Sequence, residues 1–151
     1  MITGKIWKYG DNINTDGIFP GKYTYTITDQ REIVLHAMED VDPEFSKKVQ
    51  SGDVIIAGKN FGCGSSREQA AFCFKYAGVG AIIARSFSRI YYRNAINAGL
   101  PVIVQEEISE IAKKGMEISV DLERGKIFYN EKEFFFPKLP DFVMNILKEG
   151  G

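Results

Sequence analysis

Three short, almost wholly apolar runs stand out along the chain: Gly52 to Gly58, whose centre reads Val-Ile-Ile-Ala, then Ala81 to Ala84, then Pro101 to Val104. Runs of this length without polar alternation predict strands buried on both faces. Between them, residues about 66–77 and about 87–98 have helical character, and each is followed by a glycine, Gly78 and Gly99, that suits a left-handed C-cap. Strand, helix, strand, helix, strand is the pattern of parallel crossovers. Upstream, Ile2 to Tyr9 alternates as a strand and enters the turn-forming stretch Gly10 to Gly17, which Pro20-Gly21 closes. Thr24 to Thr28 reads as a short strand or an ordered loop, and Glu32 to Met38 as a turn or two of helix. Downstream the pattern changes. Residues 117–122, 126–129 and 133–136, with Arg124-Gly125 and Asn130-Glu131 at the turns, predict antiparallel strands, and Pro140 to Lys148 predicts a closing helix.

At 151 residues the chain is long enough for one domain, 1–151, with a core of its own. Apolar residues at 44% and charged residues at 26% are ordinary for a globular protein, and a net charge of -1 offers no basic field to nucleic acid. No apolar run approaches the roughly 18 to 20 residues of a membrane span, and Met1 to Trp7 lacks the plan of a secretion signal, so a cytoplasmic protein is expected. Two cysteines, Cys63 and Cys73, and one histidine, His36, form neither a disulfide framework nor a set of metal ligands.

Chemistry concentrates in Gly58-Lys59-Asn60-Phe61-Gly62-Cys63-Gly64-Ser65-Ser66-Arg67-Glu68-Gln69, between a buried strand and a helix. Its glycines allow tight turns and close approach of a ligand to the backbone. Ser65 with Glu68 matches a capping box, so a helix is expected to begin here, its N-terminus presenting unpaired N–H groups to an anion. Arg67 adds a planar fork suited to a carboxylate. Neither phosphate motif fits, because Arg67 stands where a dinucleotide fingerprint needs its third glycine and no Gly-Lys-Ser/Thr follows. Simple helix capping by Ser65, or thiol chemistry at Cys63, would use the same residues differently. In Ser86 to Pro101, Arg89 and Arg93 share one face of an amphipathic helix.

Together these stretches resemble the small subunit of isopropylmalate isomerase and its aconitase relatives. The resemblance runs through Gly10 to Asp16, Pro20 to Tyr23, Asn60 to Glu68, Ser86-Phe87 and Arg93 to Pro101, in the family's order and at about its spacing, and covers nearly the whole chain. It implies an α/β fold, a swivelling β/β/α three-layer domain with a parallel central sheet and an additional antiparallel sheet. Such a domain closes over a large subunit that holds a four-iron, four-sulfur cluster, and no metal is bound by the small chain itself. The implied activity is that of a heteromeric hydro-lyase of leucine biosynthesis, interconverting 2- and 3-isopropylmalate through isopropylmaleate and inactive as a lone chain.

In that family the first serine of the Ser-Ser-Arg motif, here Ser65, is the proton-transfer base, with Ser66 and Arg67 holding a substrate carboxylate. Tyr25 and Thr26 fall in the loop that selects the substrate's side group, while Asn12, Asn14 and Asp16 are candidates for site closure or contact with the large subunit. The chain departs from the family at Thr24, where leucine is expected, at Tyr25 in the discriminating place, and at Gln69, where many relatives have histidine. Dimethylmalate, citramalate and homoaconitate stay open as substrates. So do two readings of other classes: a non-catalytic carboxylate-binding module, and a small thiol enzyme acting alone through Cys63.

Overall fold

A computed structural model describes residues 1–151. The apolar runs form β2 (Val54–Ile56), β3 (Ala81–Ala84) and β4 (Val102–Val104), and β1 (Ile2–Lys8) completes a parallel sheet in the order β4-β3-β2-β1. β1 serves two partners. Its second half pairs with β2 from Ile6 to Lys8, whereas its first half, Ile2 to Lys5, pairs antiparallel with β5 (Glu117–Asp121). From β5 the sheet continues antiparallel through β6 (Lys126–Tyr129) and β7 (Lys132–Phe135). Gly4 sits at the changeover, where a Cβ would meet the Gly52 carbonyl oxygen at 2.3 Å; only a residue without a side chain lets the backbones come so close.

The period-two alternation of the strands divides the core into two clusters. Trp7, Ile55, Ile82 and Val102 face one side, where they meet Phe45, Phe61, Phe74 and Tyr91. Ile6, Ile56, Ile83 and Ile103 face the other, where they meet Ile118, Val120, Ile127 and Phe134 of the antiparallel strands. The first cluster is roofed by α2 (Gln30–His36), α3 (Phe45–Lys48), α4 (Gln69–Tyr76), α5 (Arg89–Asn97) and α7 (Asp141–Lys148). The second includes Ile108 of α6 (Glu106–Ile111). Helices, a parallel sheet and a curled-over antiparallel sheet make the expected β/β/α layering. No helix is long and apolar enough to cross a membrane.

Several elements differ from the sequence pattern. Of the two forms open to residues 24–28 the structure has the loop, after a short 3-10 turn, Gly21–Tyr23. Two short helices, α1 (Thr15–Ile18) and α3, and the six-residue α6 were not anticipated; Asn14 caps α1 by accepting from the Gly17 N–H, and Gln105 caps α6 by accepting from the Ile108 N–H. The largest correction concerns α4. It begins at Gln69, preceded by Glu68 in helical conformation with no side-chain cap, so the Ser65–Glu68 capping box does not form. The Ser65 carbonyl accepts from the Thr15 hydroxyl at 2.8 Å, and the Arg67 guanidinium donates to the Phe19 carbonyl at 2.8 Å. These tertiary bonds hold residues 65–67 in an irregular turn ahead of the helix.

Candidate active site

Loops leaving the C-terminal ends of β1, β2 and β3 gather at one edge of the parallel sheet, the usual place for a ligand in open α/β folds. They keep the strands' order beyond the sheet proper. Asn12 and Thr15 donate backbone N–H groups to the Lys59 and Cys63 carbonyls, and Gly62 donates to Ile13, so the first loop lies alongside the second. Phe61 and Ser88 exchange bonds with Ser86 and Phe61, which adds the third. Asn12 and Asn60, both at left-handed φ (55° and 57°), are joined by Asn60 Nδ2 donating to Asn12 Oδ1 at 3.2 Å. Gly62 has φ +81°, and a Cβ there would lie 2.1 Å from the Tyr91 ring. That ring, buried and hydrogen-bonded to the Ala70 carbonyl at 2.8 Å, supports the Ser65 loop from beneath and ties it to α4.

Ser65 and Ser66 are exposed on this edge, and Arg67 beside them is half-buried. The Ser65 hydroxyl receives the Arg67 Nε–H at 3.2 Å and lies 3.4 Å from the Thr15 hydroxyl. Arg67 is held on its other side, where Nη1 donates to the Phe19 carbonyl at 2.8 Å and reaches the Thr24 hydroxyl at 3.5 Å. Its Nη2 stands 3.6 Å from Asp16 Oδ1. The outward Nε–Nη2 edge faces the Ser65 hydroxyl and an exposed Asp16, at 3.2 and 3.6 Å, and a planar carboxylate that displaced these contacts would meet the fork there. The N–H groups of Gly64, Ser65 and Ser66 donate to no group of the chain. Next to them is a shallow, narrow cleft lined by Thr15, Ser65, Ser66, Arg67, Ser88 and Asn94, which brings α5 to the motif.

Asn12, Asn14 and Asp16 are exposed on the same edge, and Asp16 also accepts from the Gly21 N–H at 2.7 Å. Tyr25 is 95% exposed at the tip of its loop, with Thr26 exposed beside it. Thr15, buried under Ser65, was missed as a site residue, although it lies inside the Asn-Ile-Asn-Thr-Asp stretch that the resemblance used. Burial pushes the Cys73 thiol well above its ordinary range, and the only histidine is engaged with Glu39 at 2.7 Å. No three His, Cys, Asp or Glu side chains gather as metal ligands. The most voluminous depression lies elsewhere, ringed by Lys5, Lys47, Lys48 and Lys114. It contains none of the motif residues.

Comparison with known proteins agrees with this geometry. The family described as the aconitase C-terminal domain matches residues 3–107. Over the whole chain, it is 53% identical to 3-isopropylmalate dehydratase small subunit 1 of Thermotoga maritima, spanning 92% of that protein, and 51% identical to the 3-isopropylmalate dehydratase small subunit of Caldicellulosiruptor bescii, again spanning 92%. The crystal structure of a 3-isopropylmalate dehydratase from Methanocaldococcus jannaschii superposes with a TM-score of 0.92 at 45% identity, covering 99% of this chain and 89% of that one. The chain belongs to the aconitase C-terminal domain family and, within it, to the small subunits of 3-isopropylmalate dehydratase.

Proposed function

We propose that this chain is the cytoplasmic small subunit of a hydro-lyase that interconverts 2- and 3-isopropylmalate through isopropylmaleate. Ser65 is the base, Ser66 and Arg67 hold a substrate carboxylate, and Tyr25 and Thr26 face the alkyl group. The observation that carries this reading is the exposed Ser65 hydroxyl with the Arg67 guanidinium 3.2 Å away and three unpaired backbone N–H groups around it. As an alkoxide, Ser65 Oγ takes the proton from the carbon next to a carboxylate. The electron pair left on carbon forms the double bond as the C–O bond breaks and hydroxide departs, and readdition of water at the other carbon gives the isomer.

Expelling hydroxide needs a Lewis acid, which a four-iron, four-sulfur cluster would supply. The donors of this chain do not fit one, with Cys73 buried and Cys63 alone on its loop, so the cluster is assigned to a large-subunit partner. Magnitudes support the same division. A guanidinium charge at roughly 4 Å and an effective dielectric of about 20 stabilises an alkoxide by about 4 kcal/mol, about three pKa units. A hydroxyl that starts near the acidity of water stays far too weak with that help alone. Further positive charge must come from the partner, and Asn12, Asn14 and Asp16 are exposed where such a partner would close.

The test is reconstitution with a cluster-loaded large subunit and a panel of alkylmalates and tricarboxylates, followed by absorbance of the unsaturated intermediate. Turnover of isopropylmalate that disappears in Ser65→Ala, with assembly intact, is expected; silence across the panel would refute the reading. A different preferred acid, such as citramalate, would move the assignment to a sister activity.

A further inference from the structure

We infer that His36 and Glu39, acting through Tyr23, are positioning residues for the substrate-facing loop; this rests on the roles proposed above for Tyr25 and Arg67. Tyr25 itself is 95% exposed and makes no hydrogen bond with the chain, so its place is inherited from its neighbours. On one side of it the Tyr23 ring lies on the His36 imidazole, with ring centroids 4.1 Å apart and planes inclined by 33°. His36 Nδ1 is 2.7 Å from Glu39 Oε2, so the acid fastens the imidazole on which the Tyr23 ring lies. The Tyr23 carbonyl then accepts from the Thr26 and Ile27 N–H groups, which bends the loop at Tyr25.

On the other side, the Thr24 carbonyl accepts from Gln69 Nε2 at 3.3 Å and the Thr24 hydroxyl lies 3.5 Å from Arg67 Nη1. Gln69, which departs from the family pattern, thus closes the loop from the α4 side. Contacts therefore run without a gap from Glu39 to His36, Tyr23, Thr24, Arg67 and the Ser65 hydroxyl. Ser65 has a direct support in Thr15, whereas Tyr25 is held only through its neighbours Tyr23 and Thr24. Loosening the stack is then expected to disturb substrate fit more than proton transfer.

In the reconstituted complex, His36→Ala and Glu39→Ala are expected to raise KM for isopropylmalate about tenfold while kcat stays within about threefold, and to narrow the preference for isopropylmalate over citramalate. Tyr23→Phe, which keeps the ring on His36 and loses only the hydroxyl, is expected to retain most of that preference. A purely structural role predicts the opposite split, with fewer active complexes but unchanged KM and selectivity, and that result would overturn the inference. Amide hydrogen exchange on the full-length chain alone gives a readout that needs no turnover. The Thr26 and Ile27 amides should exchange about tenfold faster in His36→Ala, with the amides of Ala57 and Ile82 unchanged. Equal exchange at Thr26 and Ile27 would dismiss the anchor even if the dehydratase assignment holds, and a wild-type complex silent on every acid would dismiss that assignment while exchange still judges the anchor.

Discussion

The two ends of the parallel sheet share their strands and treat polar groups in opposite ways. At the N-terminal end Asp53 is only 5% exposed, yet its carboxylate accepts from Trp7 Nε1 at 3.0 Å, from the Gln50 N–H at 2.9 Å and from the Lys5 N–H at 3.1 Å. Nearby, Gly52 and Gly80 donate to the Gly78 and Asp53 carbonyls, so the backbone there is paired. At the C-terminal end the amides of Gly64, Ser65 and Ser66 go unpaired, and Asn12, Asn60, Gly62 and Gly64 all hold positive φ. A satisfied buried carboxylate holds structure together, whereas exposed donors left to solvent, on loops with left-handed Asn12 and Asn60, are free to receive an anion. Local polar bookkeeping thus tells the structural end from the chemical one, which the size of a depression does not.

The largest effect expected on this contrast is Ser65→Ala, with turnover down about a thousandfold, equivalent to about 4 kcal/mol of barrier, and little change in thermal stability. Activity and melting temperature measured on the same preparations would show it; a large drop in Tm would make Ser65 structural. The mirror experiment is Asp53→Ala, which leaves three donors without their acceptor and is expected to cost about 3 kcal/mol of stability. Activity per folded molecule should not change. If denaturant unfolding shows Asp53→Ala to be nearly neutral, the N-terminal end is not the structural anchor described here.

How much of this contrast could be read from the chain depends on the range of the bonds involved. β2, β3 and β4 were legible because burial on both faces leaves unbroken apolar runs, and the antiparallel strands because turn residues separate them. The start of α4 was misread because Ser65-x-x-Glu68 is a local signal overridden by bonds from Thr15 and to Phe19, respectively 50 and 48 residues away. α1 and α3, at four residues each, are too short for a helical period to show, and Asn14 was the only cue to the first. Ser65, Ser66 and Arg67 were found through their glycine-rich setting. Thr15 and the His36–Glu39 pair were not, because their significance is a matter of contact: no spacing in the sequence announces that a lone histidine will lie under Tyr23.

Gly62→Ala is the one change expected to move both properties together. The new methyl group would press on the buried Tyr91 ring, in a backbone conformation that alanine disfavours. The ring cannot swing aside without breaking its bond to Ala70, so the loop must shift instead. We expect a cost of about 2 kcal/mol, with loss of activity beyond the loss of folded protein. Normal activity at reduced stability would mean that the Ser65 loop tolerates displacement.

The smallest effect concerns acid. Partial burial works against the Glu39 carboxylate, but the hydrogen bond from His36, the nearby Tyr23 hydroxyl and the attraction of His36 and Lys22 outweigh it and hold the Glu39 pKa below the usual carboxylate range. A depressed carboxylate pKa stabilises the folded state above the ordinary carboxylate range, and the contribution disappears as pH falls through the folded value. Glu39→Gln should therefore melt at a lower temperature than the wild type near neutrality, with the gap closing below about pH 4. The group is partly solvated, so the gap will be modest. A gap that stays constant from neutral to acid pH would mean that Glu39 supports Tyr23 and His36 by shape alone, and the loop's hold on Arg67 would then owe nothing to charge.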